Sequence, residues 1–133
     1  MPTQFHNPPA LGPTKGWSHA VSHTGGRTIY VSGQGPSNER GEVVGKGDIK
    51  AQAQQTFENL KTALAAAGAT FSDVVKMGIY VVGLKSEYVP AIREVRAQFV
   101  NMASPPASTL VGVTALVGLD WLIEIEAIAV VAA

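Results

Sequence analysis

Two glutamates two positions apart, Glu124 and Glu126, are the residues best placed to do chemistry in this sequence. They interrupt the apolar run Trp121-Leu122-Ile123-Glu124-Ile125-Glu126-Ala127-Ile128-Ala129-Val130-Val131. Side chains alternate in an extended chain, so both carboxylates share one face with Leu122, Ile128 and Val130, while Ile123, Ile125 and Ala127 point the other way. Acids among apolar neighbours need partners or a task. Taken alone, each also fits an ordinary ion-paired or solvated strand position. The chemistry that suits them is hydrolysis of a C=N bond, which requires an electrophilic carbon, a water held beside it and a group that exchanges a proton. A glutamate in an apolar cleft can serve the last two needs, and backbone N–H groups near Gly33, Ser108 or Thr109 could polarise the product carbonyl.

Other residue types offer less. His19 and His23 would present two metal ligands on one face only in a helix, and their surroundings read as strand and turn, so no metal is expected. His19 stands as a structural or cleft-lining imidazole. Ser32 and Ser108 lack a Ser-His-acid pattern. The absence of cysteine removes thiolate catalysis, disulfides and Cys-ligated metal.

The elements that must position these residues follow from periodicity. Residues 1–16, with four prolines and two glycines, read as an extended arm. Trp17 to Ser22 alternates, Thr24-Gly25-Gly26 signals a turn, and Thr28 to Gly33 is rich in β-branched residues, which together predict a hairpin. A short strand is expected at Glu42 to Val44. Asp48 stands at a helix N-cap position, Ile49, Ala53, Phe57, Leu60, Leu64 and Ala67 recur at helical spacing, and Gly68 supplies the stop. Val74 to Val82 reads as a central strand with Val75, Met77, Ile79 and Val81 on one side and Val74, Tyr80 and Val82 on the other. A second helix runs from Ser86 or Pro90 to Met102, with Val89, Ile92, Val95 and Phe99 as its stripe. Ser108 to Leu116 forms a strand, and the glutamate strand completes the sheet. Two helices cover only one face of such a sheet, so the apolar residues on its second face predict packing against other copies of the chain.

The whole chain of 133 residues is expected to form one domain, residues 1–133, with one core. Ten basic and ten acidic residues cancel, and no basic run occurs, which argues against a nucleic-acid partner. No apolar stretch is long enough for a membrane span, and no secretory leader is evident, so a cytoplasmic location is expected.

Ser32-Gly33-Gln34, the Gln52 to Gly68 helix with Asn59-Leu60 and Ala66-Ala67-Gly68, the strand beginning Asp73-Val74-Val75-Lys76, and the Ile123-Glu124-Ile125-Glu126-Ala127-Ile128-Ala129 ending resemble the YjgF/RidA/UK family of reactive-intermediate deaminases. The resemblance runs from about Leu11 to Val131. It implies an α+β, chorismate-mutase-like subunit, a homotrimer with a central barrel, and small-molecule clefts between subunits. It also implies cofactor-free hydrolysis of enamines or imines of small 2-amino acids. The family glutamate that orients water falls on Glu124 and the family aromatic on Trp17. The site expected from the match comprises Glu124 as the catalytic residue and Trp17, Ser32, Gly33, Ile92, Ser108 and Thr109 as lining residues. Two departures stand out. The arginine that follows Pro-Ala and grips the substrate carboxylate is replaced by Ser108, and a frequent Asn of the second helix by Ile92. Losing a bidentate, charge-assisted pair costs about 2–5 kcal/mol of binding. Unless Arg27, Arg93 or Arg96 reaches the cleft, a less charged or larger ligand is expected, and a non-catalytic binding trimer is the alternative. The ribonuclease activity of some relatives fits this neutral chain poorly.

Overall fold

The computed structural model describes residues 3–132. Its elements are β1 (Thr3–His6), β2 (Ala20–His23), β3 (Arg27–Gln34), α1 (Ile49–Ala66), β4 (Val74–Val82), α2 (Tyr88–Arg96), β5 (Ala107–Val113) and β6 (Ile123–Val131), with single 3-10 turns at Pro9–Leu11 and Phe71–Asp73. The fold is α+β. The main sheet has the order β3-β6-β4-β5, antiparallel except for the parallel β4/β5 pair. The glutamate strand β6 is thus internal, held on both sides, and β3 and β5 form the edges.

α1 begins and ends as its sequence requires. The Asp48 carboxylate accepts from Ala51 N–H at 3.1 Å, satisfying one of the orphan donors of the first turn. At the other end Gly68 has φ +82, and Gly68 and Ala69 N–H return to Ala65 and Leu64 carbonyls at 3.0 and 2.9 Å, the left-handed stop that glycine allows. Replacing Asp48 by Ala should cost about 1 kcal/mol. Urea denaturation would show it as a lower midpoint at unchanged slope.

Ala53, Phe57, Leu60 and Leu64 of α1 and Ile92 and Val95 of α2 close over one sheet face made by Ile29, Met77, Ile79, Val81, Ile123, Ile125, Ala127 and Ala129. Phe57, Phe71 and Phe99 fill the space between the elements with ring centroids 5.3 to 6.1 Å apart. The other sheet face carries no helix, and Tyr30 there is 77% exposed. No helix among the described residues is long and apolar enough to cross a membrane.

Several sequence expectations change. The turn at Gly25-Gly26 exists, both with positive φ, yet β2 does not pair with β3: it pairs antiparallel with β1, and β3 pairs with β6. β2 keeps only Val21 half-buried, so it has no apolar side to anchor it in the main sheet, whereas Ile29 and Val31 of β3 bury against Ala129 and Ala127. The arm is therefore not wholly unpaired, since Thr3–His6 is a strand; Met1 and Pro2 lie outside the described residues. Val74 is buried with Ala129 opposite it, because a register shift between Val74 and Lys76 adds one residue and exchanges the faces expected for Val74 and Val75. The strand foreseen at Glu42 to Val44 is a single bridge, Ser37 to Val43. α2 stops at Arg96 and is followed by tight turns through Val100, and β5 ends at Val113 rather than Leu116.

Candidate functional site

The chemistry-bearing residues gather in two places on opposite sides of the sheet. Register decides which residue goes where. Tyr80 stands opposite Glu124 and Gly78 opposite Glu126, on the helix-free face, while Met77 and Ile79 stand opposite Ala127 and Ile125 on the covered face.

On the open face the two glutamates differ. Tyr80 Oη donates to Glu126 Oε2 at 2.5 Å, and this bond, then burial and the charges of Glu126 and Glu124, raise the phenol above its ordinary pKa. Glu126 is engaged. Glu124 is half-buried, and among the described residues no protein group donates to it. Gly33 lies so close that an added Cβ would collide with the Glu124 carboxylate, which explains a glycine there without appeal to backbone angles. Glu124, Gly33 and the adjoining Ser32 therefore form one small constellation.

Two polar side chains of α1 and one indole ring hold this constellation. Gln52 of α1 accepts from Leu122 N–H at 2.7 Å and donates to the Gly45 and Asp120 carbonyls at 3.2 and 3.0 Å, fixing the entry to β6 two residues before Glu124. Asn59, also on α1, donates to the Gly35 and Ser37 carbonyls at 2.8 and 2.7 Å, fixing the exit from β3. Trp121 lies against Gly35 and Gly118, where any side chain would overlap its ring.

The second place is a cavity of about 200 Å³ at the outer side of β5, lined by Lys15, Trp17, Arg93, Arg96, Ser108 and Leu110. Ser108 reaches it because it stands beside Met77 on the covered side of the sheet, where β5 is the edge. Trp17 reaches it because the next residue, Ser18, is stitched to the approach of β5: its N–H donates to the Pro106 carbonyl at 3.0 Å and its hydroxyl to the Pro105 carbonyl at 2.6 Å. Arg96 is 7% exposed. Its Nη1 donates to the Gly16 carbonyl, and its Nη2 is buried without a partner. Burial first, and the nearby Arg93 charge second, push its pKa down to about 10, so it remains a cation at neutral pH.

Trp17 and Ser108 are thus brought together, as are Ser32, Gly33 and Glu124. A single chain does not join the two groups, since they lie on opposite faces. Thr109 stands beside Gly78 on the open face and accepts from Lys76 Nζ at 3.4 Å; it is separate from Ser108. Ile92 is a correction: with 0% exposure it belongs to the core, where its own apolar stripe places it, and it lines no cleft. Arg27 donates to the Ala67 carbonyl at 3.0 Å and closes the end of α1. Arg93 and Arg96 do reach Ser108's cavity, so the premises of a less charged ligand, an apolar Ile92 wall and no replacement arginine, both fail. His19 is engaged in the arm, its N–H donating to Asn7 Oδ1 at 2.8 Å and its Nε2 to the Gly12 carbonyl at 3.1 Å. Gln52 and Lys15 escaped the sequence reading. Gln52 carried a weak signal, a polar residue beside Ala53 on the buried side of α1; Lys15, in a Pro/Gly-rich arm, carried none.

Comparison with known proteins places these features in context. The family model described as Endoribonuclease L-PSP matches residues 8–131. The 2-iminobutanoate/2-iminopropanoate deaminase of Dermatophagoides farinae is 39% identical over 124 residues, 93% of this chain and 90% of that protein. The crystal structure of the Rid-family protein YyfB from Yersinia pestis superposes with a TM-score of 0.89 at 40% identity, covering 98% of this chain and 100% of that one. Escherichia coli TdcF, solved with bound serine, superposes with a TM-score of 0.69 at 31% identity over 95% of this chain and 94% of its own.

Proposed function

Since the chain belongs to the Endoribonuclease L-PSP, or YjgF/RidA, family, we propose that it is a cofactor-free deaminase that hydrolyses the C–N bond of an enamine or its imine tautomer in a cleft between subunits of a homotrimer. The observation that carries this reading is the Glu124 carboxylate, half-buried, unclaimed by any described donor and flanked by Gly33. Relatives named as an iminobutanoate/iminopropanoate deaminase support the reaction class.

In this mechanism the substrate reacts as its protonated imine, C=NH₂⁺: Glu124 takes a proton from a water as the water oxygen bonds to the imine carbon, and the C=N π pair moves to nitrogen. The resulting carbinolamine carries OH and NH₂ on one carbon. Glu124 returns its proton to nitrogen, the C–N bond breaks, and the hydroxyl proton passes to the departing ammonia, leaving the carbonyl and ammonium. Gly33 lets the Glu124 carboxylate lie directly against the β3 backbone.

The trimer supplies what one chain lacks. The cavity beside β5 lies at one edge of the sheet, Gly33 lies on β3 at the other, and packing edge to edge around a three-fold axis would bring the Ser108 cavity of one subunit to the Glu124 face of its neighbour. Tyr30 and Val111, 77% and 38% exposed on the helix-free side, are the apolar groups that such packing buries. Light scattering at micromolar concentration should give the mass of three chains; a stable monomer would contradict the cleft. Turnover is tested by generating imines in situ with an amino-acid oxidase and following the keto acid. Tight binding of an unreactive ligand with no turnover on any imine would favour a binding trimer instead.

A further inference from the structure

The cavity beside Ser108 gathers three cations, of which Arg96 is buried while Lys15 and Arg93 stand exposed at its rim. Lys15, Arg93 and Arg96 line it, and the same three cations line an adjoining space of about 270 Å³ that ends at Gly16 and Met102. Among the described residues no carboxylate pairs with Arg93 or Arg96; the acid of their helix, Glu94, is turned to Lys50 at 2.9 Å. Arg96 is 93% buried and keeps Nη2 without a partner. The buried Arg96 charge is costly unless paired, and with the exposed Lys15 and Arg93 beside the same two spaces it makes a receptor for more than one negative charge. Ser108 adds a hydroxyl, and Trp17 and Leu110 add apolar walls for a short carbon chain.

We propose that this cavity binds a dicarboxylate, so that the substrate is the imine of an acidic 2-amino acid, and that Arg96 and Arg93 hold its carboxylates from α2 in place of an arginine at position 108. The substrate class rests on the imine-hydrolysis reading; the binding site does not. Two carboxylates joined by a short chain answer the charge: the exposed Arg93 guanidinium can take one bidentately, while Arg96, whose Nη1 is given to the Gly16 carbonyl, attracts the other chiefly as a buried charge. The pair is spaced three residues apart, one turn of the helix, so both point to the same side.

The site is tested on the assembled protein with succinate, which has two carboxylates and no C=N bond, against propionate and inorganic sulfate, by calorimetry and thermal shift. Succinate should bind at least tenfold more tightly than either and raise the melting temperature. Arg93→Met, at an exposed position, and Arg96→Met should each weaken succinate binding tenfold or more; Arg96→Lys should recover part of it; Arg27→Met should leave it unchanged. Equal affinity for succinate and propionate, preference for sulfate, or full succinate affinity in Arg93→Met would overturn the proposal. So would absence of binding together with dissociation of the oligomer in Arg96→Met, which would mean that a neighbouring subunit's acid occupies the cavity. Turnover separates the two readings. Succinate binding with no hydrolysis of any imine would remove the deaminase and keep the site, whereas faster hydrolysis of the alanine imine than of the aspartate imine would keep the deaminase and remove this substrate class.

Discussion

Glu124→Gln is expected to lower imine turnover by about 10²–10⁴-fold while leaving the assembly intact. The amide fills the same volume beside Gly33 but can neither take the proton from water nor return it to nitrogen. Glu126→Gln should cost far less. Sequence alternation alone puts the two acids on one face; the structure separates them, because Glu126 accepts from Tyr80 Oη at 2.5 Å and lies roughly 6–7 Å further along the strand. Its replacement exchanges one partner of an exposed hydrogen bond and leaves Glu124 itself undisturbed. Steady-state assays of both variants on the same imine, with mass by light scattering as the control, measure the contrast. Equal activity in Glu124→Gln would remove that residue from the mechanism.

The features legible in the sequence were those written locally. Asp48 and Gly68 mark α1 because a cap and a left-handed stop are one-residue chemistry, and Ile123 to Ala127 declare two faces because alternation needs nothing beyond the strand itself. What the sequence hid depends on distant partners. Nothing in Ala20–His23 says that its partner is Thr3–His6 rather than Arg27–Gln34, since both offer compatible strands and the choice follows from what each can bury. The shift at Val75 is equally silent, as one extra residue exchanges faces without changing composition. Ile92 is instructive in another way. Its place in the stripe Val89, Ile92, Val95, Phe99 pointed to the core, and the family match pointed to the cleft; the structure sides with the stripe, because full enclosure between α1, α2 and the sheet leaves no surface for a ligand. The Arg93 and Arg96 spacing was visible, yet only the seating of Gly16-Trp17-Ser18 against Pro105 and Pro106 reveals that these arginines meet Ser108.

Gln52 connects the stability of the fold to the geometry of the site, and Gln52→Leu should be the most damaging single change in α1 that keeps side-chain volume. Its side chain has 0% exposure, and its three hydrogen bonds serve Leu122 N–H and the Gly45 and Asp120 carbonyls. Leucine fills the space and serves none of them. Each group left buried without a partner costs about 1–3 kcal/mol, and relaxation of the 118–122 turn, where Asp120 already holds φ +65, would recover part of this by admitting water. A net loss of about 3 kcal/mol follows, a large share of the stability of a domain this size, and urea denaturation should show it as a much lower midpoint. The turn's movement should also reach Glu124, two residues beyond Leu122 on the same strand, so kcat should fall in the fraction that remains folded while succinate affinity at the Arg96 cavity is kept. Gln52→Glu sharpens the test: it can still accept from Leu122 N–H but, when ionised, can no longer donate to the two carbonyls, so it should lie between wild type and leucine in stability at acidic pH and fall toward leucine as the carboxyl loses its proton. A Gln52→Leu protein with wild-type stability would show that the turn before β6 holds its shape without α1, and that the sheet alone positions Glu124.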